Sequence, residues 1–379
     1  MVTQTERIYE PLSSRRPSTQ KKSPDSGGLS QDLIDLRQKH TKYVLGVGPN
    51  LSQEESLRFV LAGNDEHFRT LSRLEIKPRS RYDKIKGGEA DYLVNACSDA
   101  RIPHLDSEED RFVGIFIRVA GNIVGRVGTP AFDEMRDALK LVKNDGALIV
   151  EGHSCCGALK AHNDWRESGS HSTGNSSLDN LLAMVEGDSP TLNALHQRSR
   201  ADVQFPSLRP SAAVIYDWEA GLAGGITIVS HHPSPIIEIL EANWNHRHKV
   251  AFEDGAMAAR LQNHRPHVIA IGTSTLPYSL ATIMHTEQNE VFSTTGSEKG
   301  LDALDEASIL YGIQHLGIRH IAFVAPSEKS TGNMFSKWER DLRAMTVNGE
   351  HVIATMLDSG ELKISCLGYD LDSGKLEMK

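Results

Sequence analysis

The chain has 379 residues, of which 39% are hydrophobic and 24% charged, and its formal net charge is −9. That length suits two or three domains with a sizeable core, and the acidic balance argues against a general nucleic-acid binder. No apolar run is long enough to cross a bilayer, no signal-peptide core is evident, and four cysteines do not make a disulfide framework, so no membrane role is expected.

In chain order, residues 1–34 read as a disordered tail. The stretch Ser13 to Pro24 is polar and basic, without apolar periodicity. Docking of a protein partner through this tail stays open, whereas Glu6, Glu10 and Asp25 weaken an organelle-targeting reading. Tyr92 to Ala96 reads as a buried strand leading into Cys97, and Gly114 to Ala120 as a second strand. Phe132, Met135, Leu139 and Val142 have helical spacing, and Ala147 to Val150 is a third strand ending near His153. Strands alternating with helices imply a mostly parallel sheet covered on both faces. Ser168 to Pro210, rich in Ser, Asn, His and Asp, is expected to be a surface insertion around a helix near Leu178 to Val185.

The same order then returns. Val268 to Gly272, Glu290 to Gly296 and His320 to Ala325 read as strands, with a helix over Ala307 to Gly317. Glu290 to Gly296 is matched to the stretch ending at Gly121, which sets Ser293 opposite Arg118. Ile215-Tyr216-Asp217, ending at Gly221, is echoed by Gly368-Tyr369-Asp370, ending at Gly374. This self-similarity divides the chain into two copies of one domain, residues 35–230 and 235–379. His231-His232 and His246-Arg247-His248 read as solvated linker histidines, and the run Gly221 to Gly225 lacks the Lys-Ser/Thr of a phosphate loop.

Chemistry concentrates in the first copy. Cys97-Ser98-Asp99-Ala100-Arg101 and Gly152-His153-Ser154-Cys155-Cys156-Gly157 supply three metal ligands, Cys97, His153 and Cys156, beside an Asp-x-Arg pair. Three ligands and an open fourth position are the composition of a catalytic zinc site. Arg101 suits a two-pronged grip on the Asp99 carboxylate. Asp99 has two readings: a fourth ligand that shuts the site, or a carboxylate held off the metal by Arg101. Ser98 and Ser154 read as turn residues, and Cys155 as a buried bystander thiol. Gly157 reads as a close backbone approach or a simple turn. In the second copy the matching positions are Thr273-Ser274-Thr275 and Ala325-Pro326-Ser327-Glu328-Lys329, with no zinc ligand.

Cys97/Asp99/Arg101, Arg118/Gly121/Asn122 and Gly152/His153/Cys156/Gly157 together resemble the β-class carbonic anhydrases, whose pattern is Cys-x-Asp-x-Arg, Arg-x-x-Gly-Asn and Gly-His-x-x-Cys-Gly. The resemblance covers Asp91 to Lys160 most specifically. It implies an α/β fold of two tandem carbonic-anhydrase-like domains, each a mostly parallel sheet flanked by helices, packed as an internal pseudo-dimer with a degenerate second copy. It implies a lyase with one zinc per chain, Asp99 and Arg101 as catalytic residues, and reversible hydration of CO2 by attack of a zinc-bound hydroxide. Arg118 resembles the arginine that helps bind an inhibitory bicarbonate in switchable members; a buried ion pair is the other reading. Alternatives are hydrolysis of carbonyl sulfide or carbon disulfide on the same site, or a bicarbonate-binding sensor or scaffold. The expected partners are CO2 and bicarbonate and further copies of the chain, as a dimer of pseudo-dimers. The expected location is the cytoplasm or another reducing compartment, with a carboxysome or organelle as the alternative.

Overall fold

The computed structural model describes residues 29–99, 101, 112–206, 211–217, 225–230, 263–286 and 289–379. The tail through residue 28, the paired histidines at 231–232 and 246–248, and the glycine run up to residue 224 lie outside the described residues.

Three helices open the described chain: α1 (Gln31–Val44), α2 (Gln53–Arg73) and α3 (Pro78–Lys86). The expected tail extends too far, because α1 begins inside it. Ser30 accepts a bond from the Leu33 amide, and Leu33 and Leu36 bury their side chains with Leu51 and Phe59. Ser52 and Glu55 form a reciprocal capping box at the start of α2.

The first sheet consists of β1 (Ala90–Ala96), β2 (Gly114–Arg118), β3 (Val142–His153), β4 (Ser211–Asp217) and β5 (Gly225–Ser230), in the order β2-β1-β3-β4-β5. All its pairings are parallel except β4 with β5. Between the strands run α4 (Pro130–Leu139), α5 (Gly157–Ser168), α6 (Ser176–Met184) and α7 (Pro190–Gln204). Along β1 the side chains alternate. Leu93 joins a core with Met135 and Ala138 of α4 and Ala201 of α7, while Tyr92, Val94 and Ala96 are buried on the opposite face.

The second sheet consists of β6 (Val268–Gly272), β7 (Val291–Thr295), β8 (His320–Pro326), β9 (Lys363–Tyr369) and β10 (Leu376–Met378), in the order β10-β9-β8-β6-β7. Its helices are α8 (Leu280–Ile283), α9 (Ala303–Gln314), α10 (Thr331–Ala344) and α11 (Val352–Asp358). Read from β7, this is the strand order of the first sheet, again with only the last strand antiparallel. The registers refine the sequence matching. Ala96 faces Arg118 and Gly272 faces Thr295, so Thr295, not Ser293, occupies the place of Arg118. His153 pairs with Tyr216 as Pro326 pairs with Tyr369, so Pro326 occupies the place of His153.

The two halves are tied together in three places. First, α2 packs on the second sheet, where Val60 and Leu71 share a core with Val268, Ala270, Val324 and Tyr369. Asn64 donates to the carbonyls of Ile283 and Gly374, and His67 bonds the Tyr369 hydroxyl. Second, the edge strands β2 and β7 meet through side chains: the Arg118 amide donates to Thr295 Oγ1 (2.8 Å), and Thr294 Oγ1 donates to the Arg118 carbonyl (2.9 Å). Third, the expected surface insertion is largely structural. Leu178, Leu181 and Leu182 of α6 pack with Leu304 and Ala307 of α9, and α7 lies on the first sheet with Ala194 and Ala201 fully buried. Its polar composition misled because the polar side chains cap helices and bridge backbone, as Asn175 does to the Thr346 carbonyl.

Gly63 sits where α2 crosses the chain after α8, and a Cβ there would lie 1.8 Å from the Met284 carbonyl oxygen. Because the obstacle is backbone, Gly63→Ala is expected to cost about 2–3 kcal/mol, read as a lower midpoint in denaturant. His320 and His267 are buried, and desolvation holds both imidazoles below their ordinary value, His320 at about 4. Unfolding lets them take up protons, so stability is expected to fall as pH drops from about 6.5 toward 4. Denaturant midpoints across that window check this, and His320→Gln should flatten the slope.

Candidate metal centre

β1 and β3 are parallel neighbours, with Ala96 facing Glu151, so the residues that follow them leave the same edge of the sheet. This is where open parallel sheets place ligands. Cys97 follows β1, His153 ends β3, and Cys156 is the residue preceding the first turn of α5. Their donor atoms all lie within 4.8 Å of one another, and all three residues are buried. The two sulfurs are 4.0 Å apart. Tetrahedral zinc with sulfur bonds of about 2.3 Å would set two thiolates about 3.8 Å apart, so the pair needs little adjustment.

The surroundings orient each donor. His153 Nδ1 bonds the Ser154 carbonyl at 2.9 Å, which fixes its proton there and leaves the Nε2 lone pair for a metal. The Gly121 amide donates to Cys97 Sγ at 3.2 Å. Gly121 and Asn122 both have positive φ (74° and 49°), which turns that amide toward the sulfur. Asn193 and Gln197 of α7 hold this turn through the Gly121 carbonyl and the Val124 amide. Neither was singled out from sequence, since two amides inside a polar helix carry no distinguishing signal. Arg118 Nη1 donates to the Cys97 carbonyl at 2.6 Å. Its side chain also lines a small cavity of about 20 Å³ with Thr273, Ser274, Ser293 and Thr295.

Asp99 lies against Arg101. Its Oδ1 accepts from the Arg101 amide and from Nε, both at 2.9 Å, and its Oδ2 accepts from Nη2 at 2.6 Å. Arg101 Nη2 also donates to the Cys155 carbonyl at 2.9 Å. Of the two sequence readings for Asp99, the structure therefore displays the arginine-paired one. Burial alone would raise its pKa, but His264, Arg101 and His153 outweigh it and hold the carboxyl well below its ordinary range. Cys155 differs from its expectation: its side chain is exposed, its φ is 53°, and it is the carbonyl that serves the site. The Ser98 carbonyl accepts from the Ser293 amide at 3.3 Å, so that residue joins the two halves.

Two residues of the second half reach this centre, and sequence reading missed both. His264 Nε2 is 3.3 Å from Asp99 Oδ1. The Tyr311 hydroxyl of α9 stands over Gly157, where a Cβ would lie 2.2 Å from it. Gly157 is thus the space that lets Tyr311 approach. At the register positions of Cys97, His153 and Cys156 the second sheet has Thr273, Pro326 and Lys329, none of which is a zinc ligand type.

No protein-family model matches the sequence, and no curated protein does. Among solved structures, the β-carbonic anhydrase CcaA is 21% identical, covers 42% of this chain and 80% of its own, and has a TM-score of 0.27. One of two tetrameric β-carbonic anhydrases from the filamentous ascomycete Sordaria macrospora is 19% identical, over 39% of this chain and 84% of its own, with a TM-score of 0.25. The apo form of a carbon disulfide hydrolase is 19% identical, over 40% of this chain and 85% of its own, with a TM-score of 0.26. Scores of this size carry no functional argument; the residues of the centre do.

The bond from Cys156 pulls Cys97 well down, while that same bond and burial push Cys156 well up. Binding zinc demands both thiolates and so expels a proton. The expected outcome is one zinc per chain, with affinity that weakens as pH falls, measured by competition with a chromogenic chelator. Cys97→Ser, His153→Ala and Cys156→Ser should each abolish stoichiometric zinc.

Proposed function

We propose that this chain is a zinc enzyme of the β-carbonic anhydrase kind, which reversibly hydrates CO2 to bicarbonate and a proton. The observation that carries the proposal is a buried Cys97/His153/Cys156 donor set beside an Asp99 carboxylate held aside by Arg101. Cys97, His153 and Cys156 would hold one zinc, which when bound acidifies a coordinated water toward a pKa of about 7.

The protein's own residues supply position and charge. Two thiolates and a neutral imidazole would offset the 2+ charge of zinc. Asp99, gripped through both oxygens, offers an acceptor in a fixed direction to whatever proton donor stands in the fourth position. Arg101 draws that carboxylate to its own side, and its bond to the Cys155 carbonyl ties the clamp to the loop carrying Cys156. Arg118, in its cavity with Thr273 and Thr295, would be the bicarbonate-binding group.

The identical strand order of the two sheets supports two tandem domains packed as an internal pseudo-dimer, the second without zinc. Its retention is then explained by what it contributes: the far wall of the site, through His264 and Tyr311. Assembly with further copies is part of the proposal. Among the described residues no helix is long and apolar enough to cross a membrane.

Stopped-flow CO2 hydration by the zinc-loaded protein tests the reading. Turnover is expected, and Asp99→Asn should lower it by roughly 100-fold or more while leaving one zinc per chain. Hydrolysis of carbon disulfide without CO2 hydration would move the assignment to a sulfur analogue. A zinc-loaded protein inert toward both would remove the enzymatic reading.

A further inference from the structure

Deepening the zinc reading, on which it rests, we propose that His264 is a positioning residue that works with Arg101 to keep Asp99 away from the metal position. The second half of the chain thereby sets the open state of a centre whose ligands all lie in the first.

The geometry is specific. His264 lies just before β6, in the second half, yet its Nε2 is 3.3 Å from Asp99 Oδ1. The same oxygen takes the Arg101 amide and Nε, while Oδ2 takes Nη2; His264 stands as a third nitrogen beside Oδ1. Each carboxylate oxygen has about two acceptor directions; the contacts on Oδ1 draw Asp99 toward Arg101 and His264, while Oδ2, 3.8 Å from His153 Nε2, keeps one direction toward the metal position. The His264 and Asp99 side chains are 10% and 3% exposed, so water competes little for these bonds. Burial keeps the His264 imidazole down at about 4, so at neutral pH it is an uncharged N–H donor.

Arg101 follows Asp99 by two residues on the same loop, so the two can move together. Asp99 follows Cys97 by two residues as well, and carboxylates are ordinary zinc ligands. A clamp within one loop therefore cannot by itself fix where the carboxylate goes. His264 adds an anchor from outside that loop, in the segment that leads into β6. Its ring is also packed against Phe292 of β7, with centroids 6.1 Å apart, which ties it to the second sheet.

The test uses full-length protein loaded with cobalt(II) in place of zinc, with azide as the probe and the visible cobalt bands as the readout. Wild-type protein is expected to bind azide at the open position. His264→Ala should keep one metal per chain but lose at least ten-fold in azide affinity, because Asp99 closes on the metal. Adding Asp99→Ala to that variant should restore azide binding, which a merely structural defect would not do. His264→Gln keeps an N–H donor and should stay near wild type, so it covers the case in which His264→Ala fails to fold: a large loss in a folded, loaded His264→Gln would overturn the proposal. So would unchanged azide affinity in His264→Ala, or a loss that Asp99→Ala does not reverse. Absence of CO2 hydration in wild-type protein would count against the enzyme reading, whereas the cobalt readout judges the clamp by itself.

Discussion

Edge strands β2 and β7 meet without forming a continuous ladder, and the rest of the molecule depends on how that junction is made. Exposed strand edges offer unpaired amides and carbonyls to any passing chain. Here hydroxyls of the opposite half answer them: Thr295 and Thr294 on Arg118, and Ser308 on the Ala120 amide at 3.0 Å. These bonds lead into the turn that carries Gly121, whose amide reaches Cys97. Joining the halves and shaping the centre are therefore one act, and weakening the seam should be felt at the sulfurs.

The centre concentrates charge in a place that punishes it. Asp99, Arg101 and His153 are all nearly inaccessible to water, and burying an ion pair gains little stability of itself. Removing one partner is costly, because the other is left charged and dry. Such a pair is better understood as a device for holding geometry than as a source of folding energy. The energy comes from elsewhere: aliphatic strands in both sheets, and helices α2, α6 and α7, which seal them. Each fully buried leucine or isoleucine contributes about 1.5–3 kcal/mol, enough in number to carry a strained polar pocket.

Much of this was readable in the chain. The strands after Ala90, Gly114, Val268, Val291 and His320 announce themselves as apolar runs, and the repeated order of strands survives in the two sheets. The donor set was readable because Cys97, His153 and Cys156 sit directly at strand ends, where short-range spacing fixes their place. Less visible were α2 and α7. Their polar residues face partners far away in sequence, so the pattern resembled surface; the capping box at Ser52 and Glu55 was the signal that could have found α2. The two-residue error in matching β7 to β2 arose because both end in small or polar residues, and only hydrogen-bond register separates the choices.

By itself the sequence determined the α/β class, the donor atoms and the lack of those donors in the second half, because these follow from local periodicity and from residue type. Tertiary structure decided that Asp99 lies on Arg101, that Tyr311 fills the space over Gly157, and that His264, from the segment before β6, faces Asp99. Nothing near His264 or Tyr311 in the chain marks them, since their neighbours at the centre are brought by the packing of two sheets. A carboxylate's direction is set by the sum of its hydrogen bonds, and here part of that sum comes from across the seam.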